Sequence, residues 1–485
     1  MRILVMNPPF LKKYARSMRC PAVTKSGTLI YPYWLMYATG VLDEAGFVVE
    51  LIDAPAEDYD LKNILRVAQE FRPNLIVIDT STASIGNDCN VAEALKNELP
   101  DSFVILVGPH VSVLPEETLN LSKKIDAVAR KEYDYTLRDL AFTLKNGGDL
   151  KTVLGISFRK DGKVIHNPDR TFIENLDELP FISRVCKKHL NVKNYFYSAD
   201  LYPLVTILGS RGCPYRCTYC LFPQTFTGHR YRLRSIDNII EEIKYIIKEF
   251  PQVKEIKFED DSIISEDRCI NLCEKILENN LKFTWSINSR ADVGYGVLKM
   301  MHRAGCRLLC VGIESGNQNL LDNLKKNIRV EEIRRFMKDT KKAGMLVHGC
   351  FLVGGPGETK ETLKETLKFA IELEPDTAQF FPISYYPGTL AYDWAQERGF
   401  LITHDFSKWL TSEGMLSSVI NQPGLSNVEL VDFCDYTRRK FYLRPRYMIR
   451  KLKQCLIQPF EAQRTIKSLK TFSRHLFRRH VKTIH

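Results

Sequence analysis

The sequence lacks most of the features that would quickly assign a chain of 485 residues to a class. No apolar run approaches the ~18 residues that a membrane-spanning helix needs. Neither of the common phosphate-binding fingerprints, G-x-G-x-x-G and G-x-x-x-x-G-K-[ST], occurs in the chain. Internal repeats and low-complexity tracts are also missing. These absences argue against a helical membrane span, a repeat architecture and the usual nucleotide sites.

Acidic residues are scarce at the end of the chain. From Arg438 onward there are 15 lysines and arginines against one acidic residue, Glu461, a balance of +14. Because the net charge of the whole chain is +11, the preceding 437 residues carry −3. The basic character therefore belongs to a tail, and we expect no nucleic acid as a partner.

The composition is that of an ordinary globular protein, with 44% hydrophobic and 26% charged residues. The stretch from Met1 to Pro9 is apolar only until Pro8, which predicts a strand rather than a signal peptide. We expect a cytoplasmic protein, with peripheral contact at the inner membrane surface left open by the basic tail. In the cytoplasm, the 13 cysteines are more often ligands or core residues than disulfides.

Residues 1–150 alternate short apolar runs with helical patterns. Continuous apolar strands separated by helices predict a parallel sheet that is covered on both faces. We therefore predict an α/β fold that begins with a doubly wound, five-stranded parallel sheet, whose ligands bind at the carboxyl ends of the strands. The five runs lie at 3–6, 48–52, 75–78, 103–107 and 127–129.

Three further parts follow. Residues 151–194 are predicted to be a connector with a hairpin, because a polar turn at 160–163 lies between two strand-like runs. Residues 195–400 repeat a strand and a helix six times, which predicts a partial (β/α)6 barrel with its function on the loops after the strands. The helix at 236–250 has the clearest period, with Ser235 as its N-cap candidate. Residues 401–485 are predicted to form a mostly helical, basic C-terminal region.

Cys213, Cys217 and Cys220 follow the first barrel strand with the spacing C-x3-C-x2-C. A structural zinc site normally has four ligands, and no other cysteine or histidine follows at close spacing. A cubane iron–sulfur cluster has four irons, so three thiolates would leave one iron open to an exogenous ligand. The spacing favours a [4Fe-4S] cluster, with a free-cysteine loop or an unusual zinc knuckle as the alternatives.

With the aromatic Tyr219 just before its last cysteine, this motif resembles that of the radical S-adenosylmethionine superfamily. The resemblance covers about residues 195–398. It implies that the open iron chelates the methionyl group of S-adenosylmethionine, and that cleavage of this cosubstrate gives a 5′-deoxyadenosyl radical. It also implies that Tyr219 contacts the adenine, and that an electron donor such as flavodoxin or ferredoxin is a partner.

The resemblance extends to the ends of the next two barrel strands. Glu259 and Asp260 are the candidates for accepting hydrogen bonds from the methionyl amine. A solvated acidic loop or a helix cap is the alternative for both. Arg290 is the candidate for clamping the methionyl carboxylate with its planar fork, and a surface salt bridge is its alternative.

The fourth and fifth barrel strands end in further matching segments. Glu314 resembles the family's ribose-contacting residue. Gly354, Gly355 and Gly357 lie in a segment that resembles the family's adenine side, where glycine permits a close approach of the backbone to a ligand. Each segment is weak alone, but together they follow successive strands in the family's order.

The first domain resembles the cobalamin-binding domain that precedes many radical S-adenosylmethionine enzymes. Ser81, Thr82 and Ser84 lie where that fold holds the nucleotide tail of cobalamin, and Gly108 lies where a small residue lets the tail pass. His110 is a candidate ligand contact, and a hydrogen bond at a helix start is its alternative. The motif Asp-x-His-x-x-Gly is absent, so we expect cobalamin to bind without a histidine on cobalt.

The remaining cysteines and the tail suggest no second cofactor. Cys269 and Cys273 lie four residues apart on the apolar side of a predicted helix, and core packing accounts for most of the other cysteines. The basic tail mixes aromatic and aliphatic residues with lysine and arginine. It is predicted either to lie on an anionic membrane surface or to cover the barrel.

We therefore predict a cobalamin-dependent radical S-adenosylmethionine enzyme with a [4Fe-4S] cluster. The favoured reaction is methylation of an unactivated carbon of a small-molecule or lipid-like substrate, bound between two facing cofactors. A radical cyclase or rearrangement enzyme of the anaerobic tetrapyrrole-cyclase type is one alternative. A non-catalytic iron–sulfur sensor is the other, and methylthio transfer to tRNA is less favoured because the first domain has no second cysteine triad.

Overall fold

The computed structural model describes residues 1–259 and 265–476, and it begins with a doubly wound domain. The strands of its sheet are β1 (Arg2–Asn7), β2 (Val48–Asp53), β3 (Leu75–Asp79), β4 (Phe103–Val107), β5 (Ala127–Ala129), β6 (Ile156–Lys160) and β7 (Lys163–His166). Their spatial order is β2-β1-β3-β4-β5-β6-β7. The first five strands are parallel, as predicted. The predicted hairpin, β6 and β7, pairs antiparallel with β5, so the sheet has seven strands rather than five.

Helices cover both faces of this sheet, which explains the continuous apolar runs. Along β1, Ile3 and Val5 belong to one apolar cluster, whereas Leu4 and Met6 belong to another on the opposite face. A strand buried on both faces needs apolar residues at every position. The helices are α1 (Tyr33–Glu44), α2 (Ala54–Glu57), α3 (Leu61–Phe71), α4 (Ile85–Glu98), α5 (Pro109–Val113), α6 (Pro115–Leu121) and α7 (Asp134–Lys145).

The second domain is an open barrel with six parallel strands among the described residues. Its strands, with the short pair β9 and β10 between the first and the second, are β8 (Leu204–Ile207), β9 (Ser210–Arg211), β10 (Arg232–Leu233), β11 (Glu255–Phe258), β12 (Trp285–Ser289), β13 (Cys306–Glu314), β14 (Leu346–Val353) and β15 (Thr377–Pro382). The barrel order is β8-β11-β12-β13-β14-β15, which follows the chain. This arrangement confirms the predicted six-unit partial barrel.

Helices connect the strands of the barrel along its outside. In α10 the predicted N-cap is present, because the Ser235 hydroxyl accepts a hydrogen bond from the Asn238 N–H at 3.1 Å. The helices of the connector and the barrel are α8 (Ile182–His189), α9 (Leu221–Thr225), α10 (Ile236–Glu249), α11 (Glu266–Glu278), α12 (Tyr295–Arg303), α13 (Gln318–Asn323), α14 (Val330–Lys342), α15 (Lys360–Leu373) and α16 (Leu390–Glu397).

Three helices, α17 (Asn427–Tyr442), α18 (Pro445–Ile457) and α19 (Pro459–Leu476), follow the barrel. Helix α17 lies against β15, where Phe441 is fully buried and the Tyr442 hydroxyl donates to the Ala378 carbonyl at 2.8 Å. The tail therefore covers the open edge of the barrel. This was one of the two predictions for the tail, beside binding to a membrane surface. None of the described helices is long and apolar enough to cross a bilayer.

Buried ion pairs join the two domains. The Arg211 guanidinium donates to both carboxylate oxygens of Asp134 at 2.8 and 3.1 Å. Beside it, Arg232 donates to Glu132 at 2.6 and 2.8 Å. All four side chains are buried, and both acidic residues belong to the first domain. Removing one partner of such a pair typically costs about 3–5 kcal/mol, which is a large fraction of the roughly 5–15 kcal/mol that stabilises a native protein.

Candidate functional site

The three cysteines of the C-x3-C-x2-C motif lie on one loop at the carboxyl end of β8, and each is partly exposed. The loop needs glycine at position 212, where φ is +81° and a Cβ atom would lie 2.1 Å from the Arg230 carbonyl oxygen. The Gln224 amide donates to the carbonyls of Cys217 and Cys220 at 3.3 and 2.9 Å. These contacts fix the backbone of the loop.

The donor set of this loop fits an iron–sulfur cluster. Three thiols come from a single short segment, and none of them belongs to the apolar core. Thiolates are the usual protein ligands of such clusters, and three of them satisfy three of four irons. Cys213, Cys217 and Cys220 would hold the cluster here.

The structure brings together Tyr219 and Glu314, which were predicted to contact different parts of S-adenosylmethionine. The Tyr219 hydroxyl donates to a Glu314 carboxylate oxygen at 2.8 Å, and the Lys326 ammonium contacts the same oxygen at 2.7 Å. Glu314 follows a register shift in β13 and has a φ of +66°, which is uncommon for a residue with a side chain. Burial would lower the pKa of Lys326, but the Glu314 carboxylate raises it above its usual value. Lys326 was not predicted from the sequence.

Arg290 braces the cysteine loop. Its guanidinium lies 3.8 Å from the ring centre of Tyr215, which is inside the C-x3-C-x2-C motif. It also forms an ion pair with Asp292 at 2.8 Å and donates to the carbonyls of Lys326 and Asn327 at 3.0 and 2.9 Å. Arg290 is buried, so this ion pair differs from the surface salt bridge given as its alternative. Its clamping role stays a prediction.

The acidic segment after β11 is described only in part. Glu259 is partly buried and accepts a hydrogen bond from the Asn288 amide at 3.3 Å, which places it above the neighbouring strand β12. Asp260 lies outside the described residues. The assignment of either carboxylate to the methionyl amine stays a prediction.

The glycine segment after β14 forms a tight turn. Gly354 and Gly357 have φ values of +83° and +85°, a conformation that side chains rarely adopt. Gly355, between them, accepts a backbone hydrogen bond from Glu358. The Glu358 carboxylate in turn accepts from the Gly354 N–H at 3.2 Å, and burial raises its pKa to about 7. Glu358 was not among the residues predicted from the sequence, although it directly follows the glycine segment.

In the first domain, Ser81, Thr82 and Ser84 are buried at the carboxyl end of β3. The Ser81 and Ser84 hydroxyls lie 2.7 Å apart, and the Tyr14 hydroxyl lies 2.8 Å from that of Ser81. Ser84 also donates to Asp88. Ser81 and Ser84 therefore belong to one hydrogen-bonded network, whereas the Thr82 hydroxyl contacts His110.

Arg16 and Asp88 complete this network and were not predicted from the sequence. Their side chains are fully buried and form an ion pair at 2.6 Å. Arg16 also donates to the Asn7 amide oxygen at 2.7 Å, so the network reaches the end of β1. A buried network of this kind fixes the hydroxyls in place.

The two other residues predicted in the first domain, Gly108 and His110, follow the end of β4. Gly108 has a φ of +118°, and a Cβ atom there would lie 2.8 Å from the Thr80 carbonyl oxygen. His110 is buried, with its Nδ1 atom 3.3 Å from the Thr82 hydroxyl. Its Nε2 atom has no hydrogen-bond partner among the described residues, and burial lowers its pKa to about 3, so the ring is neutral at pH 7.

Unpartnered polar atoms also lie where the two domains meet. The Trp34 indole nitrogen and the Tyr133 hydroxyl are buried without a partner among the described residues. Both rings contact Phe226, which follows α9, and Trp34 also contacts Phe222 within α9. Buried polar atoms in native proteins are nearly always satisfied, so these two atoms call for a polar partner such as a bound ligand or water. The indole N–H of Trp34 and the hydroxyl of Tyr133 suit a large polar cofactor such as cobalamin.

Comparison with known proteins finds two known domain families in the chain. The radical SAM superfamily profile matches residues 207–370, and the B12 binding domain profile matches residues 19–141. The chain is 32% identical to an uncharacterized methyltransferase of Pyrococcus horikoshii, over 93% of this chain and 95% of that protein. It is 25% identical to the anaerobic magnesium-protoporphyrin IX monomethyl ester cyclase of Rubrivivax gelatinosus, over 86% of this chain and 74% of that one.

A solved structure shares the two-domain fold. The radical S-adenosylmethionine methyltransferase TsrM of Kitasatospora setae superposes with a TM-score of 0.70 and 18% identity, over 90% of each chain. That structure was determined with tryptophan substrate and an S-adenosylmethionine analogue bound.

The fold and the two matched domains define a radical S-adenosylmethionine enzyme with a cobalamin-binding domain. The chain belongs to the family of cobalamin-dependent radical S-adenosylmethionine methyltransferases, which includes the Pyrococcus horikoshii relative. Its cofactors are a [4Fe-4S] cluster, S-adenosylmethionine and cobalamin. The alternative of a non-catalytic iron–sulfur sensor is not supported.

Proposed function

We propose that this enzyme methylates an unactivated carbon of a small-molecule or lipid-like substrate that binds between its two domains. The observation that carries the proposal is the contact of α5 with α9. Helix α5 begins directly after Gly108, and α9 begins directly after Cys220. The two predicted cofactor sites are therefore neighbours, which a reaction that uses both cofactors on one substrate needs.

When bound, the cofactors supply a methyl group carried on cobalamin and a 5′-deoxyadenosyl radical that removes a hydrogen from the substrate. The chain's own residues position and shield these groups. Lys326 and Tyr219 hold Glu314 in place, and Arg290 braces the loop of the three cysteines. The aromatic side chains of Trp34, Phe222 and Phe226 exclude water from the contact between the domains.

The test is anaerobic reconstitution followed by mass spectrometry of the products, with candidate lipids, tetrapyrroles and peptides. A methylated product gains one carbon and two hydrogens, and deuterium from methyl-labelled S-adenosylmethionine should appear in it. A product that loses hydrogen without gaining carbon would instead support a radical cyclase. The similarity to the Rubrivivax gelatinosus cyclase is the observation that favours this second candidate.

We further propose that a flavodoxin or ferredoxin supplies the electron. We also propose that the tail binds the surface of an anionic membrane. The outer faces of α18 and α19 expose large apolar side chains beside lysines and arginines. Exposure reaches 77% at both Leu456 and Ile457. A basic helix pair with apolar residues on its outer face is suited to a membrane surface and to a lipid-like substrate.

A further inference from the structure

Two thiols and one imidazole meet inside the barrel, away from the cysteine loop. Cys310 lies on β13, and His348 and Cys350 lie on β14, where Cys310 pairs in register with His348. The two sulfur atoms are 4.0 Å apart, and one ligand atom from each of the three residues lies within 4.8 Å of the others. Cys310 precedes Glu314 by four residues, so the cluster lies roughly 13 Å along the strand from the cofactor end.

These cysteines differ from those that pack in the core. Cys269, Cys273 and Cys306 belong to the main apolar cluster, as core packing predicts. Cys310 and Cys350 do not belong to it, and both are partly exposed. The charged groups that act on Cys310 are Lys257, Asp200 and Glu259. The three residues therefore border a polar space inside the barrel.

The geometry is that of a tetrahedral metal site with three protein ligands. With metal–sulfur bonds of about 2.3 Å, two thiolates on a tetrahedral ion lie roughly 3.8 Å apart, close to the separation seen here. The His348 Nδ1 atom lies 2.8 Å from the Thr377 hydroxyl, which is the kind of second contact that orients a ligating imidazole. Two sulfurs and an imidazole are donors that suit zinc.

We propose that Cys310, His348 and Cys350 bind one Zn²⁺ ion inside the barrel. All three residues are partly exposed, so a fourth ligand has access to the ion. An open fourth position distinguishes a zinc ion that binds a water or a substrate atom from a structural one. The ligand class for that position is an oxygen, nitrogen or sulfur donor of a small molecule.

The test measures zinc in the full-length, cluster-reconstituted protein and requires no turnover, so its result does not depend on the proposed methylation. The protein is incubated with Zn²⁺ under anaerobic conditions and desalted, and zinc and iron are counted per chain. We expect one retained zinc in the wild type and none in Cys310→Ala/Cys350→Ala. The control, Cys269→Ala/Cys273→Ala, removes two core thiols of the same barrel and should keep its zinc.

X-ray absorption at the zinc edge gives a second readout. We expect two sulfur ligands and one or two lighter ligands in the wild type, and a single sulfur in Cys350→Ser. Thr377→Val should weaken zinc binding by about 10–100-fold, which is typical for the loss of an orienting contact. Equal zinc in the wild type and the Cys310/Cys350 variant, with iron unchanged in both, would overturn the site. A zinc spectrum without sulfur ligands would do the same.

Discussion

At the scale of single residues, the cysteine loop can be tested by removing its three thiols together. We expect Cys213→Ala/Cys217→Ala/Cys220→Ala to lose the brown chromophore, its iron and all cleavage of S-adenosylmethionine, because the cluster has no other ligands on this loop. Iron analysis and chromatography of 5′-deoxyadenosine measure both effects. The control is Cys269→Ala/Cys273→Ala, in the apolar core. About four irons per chain in the triple variant would contradict the assignment.

The buried carboxyl group of Glu358 predicts how the free energy of unfolding depends on pH. Burial raises its pKa from 4.5 to about 7, so between these values the folded chain holds a proton that the unfolded chain has lost. The stability contributed by this group is therefore present below pH 4.5 and is lost as the pH rises to 7. The loss is up to about 3 kcal/mol.

Glu358→Gln cannot ionise, so between pH 5 and pH 8 its free energy of unfolding should rise relative to that of the wild type. Urea denaturation of the full chain, followed by circular dichroism, measures the difference at both pH values. Glu361→Gln, on the exposed first turn of α15, is the control and should show no such change. If Glu358→Gln follows the wild type across this range, the carboxyl group does not titrate as described.

The residue-level site could be predicted only in part. The placement of the cysteines, Glu314 and the glycines at the ends of barrel strands was predictable because they lie in short motifs there, and their contacts with cofactors stay predictions. Lys326 was not predictable, because it follows Glu314 by 12 residues, on the far side of α13, and only the fold returns its ammonium group to that carboxylate. The Arg16 ion pair joins residues 72 positions apart, and no local pattern signals such a partner.

At the scale of elements, the five parallel strands of the first domain were predictable because they are buried on both faces, and the main helices were predictable because each has an apolar side. The seven-stranded sheet was not. A hairpin pattern shows that β6 and β7 pair with each other, but its docking on β5 depends on which sheet edge is left uncovered. That choice is made by tertiary packing, and the sequence of the hairpin does not encode it.

The exposed faces of helices α18 and α19 lead to the prediction that the protein binds anionic membranes. We expect the wild type to co-sediment with anionic vesicles at low salt and less at high salt, because each lysine or arginine near the surface contributes about 1 kcal/mol and salt screens it. Leu452→Glu/Leu456→Glu/Ile457→Glu should not bind, since it places acidic groups on the exposed apolar face. Leu121→Glu, at a similarly exposed position of α6, is the control.

Truncation before Arg438 would be a poorer test, because it removes the buried Phe441 and the contacts of Tyr442 with β15. Placing acidic groups on the outer face leaves that packing intact. If the wild type does not sediment with vesicles even at low salt, the tail serves only to cover the barrel.

At the scale of the whole molecule, the buried ion pairs between the domains carry a prediction about stability. Arg211→Met leaves the Asp134 carboxylate buried without its partner and should cost 3–5 kcal/mol. Because the lost contact joins the domains, the connector at 151–194 should also become more sensitive to proteolysis. Denaturant unfolding and limited proteolysis measure the two effects.

The surface pair of Lys12 and Asp58 is the matched control. Both side chains are largely exposed, so Lys12→Met should cost less than about 1 kcal/mol. The double variant Arg211→Met/Asp134→Leu removes both charges and should recover much of the loss. Equal stability of Arg211→Met and the wild type would show that the pair does not hold the domains together.

The same four charges also limit how the halves of this protein can be exchanged with those of its relatives. A chimera that takes its first domain from another family member receives that protein's residues at positions 132 and 134, while Arg211 and Arg232 remain with the barrel. Unless the donor domain offers two carboxylates at those positions, two guanidinium groups are buried without counterions. The cobalamin domain and the barrel therefore cannot be exchanged independently, because a change of charge on one side of the interface requires a matching change on the other.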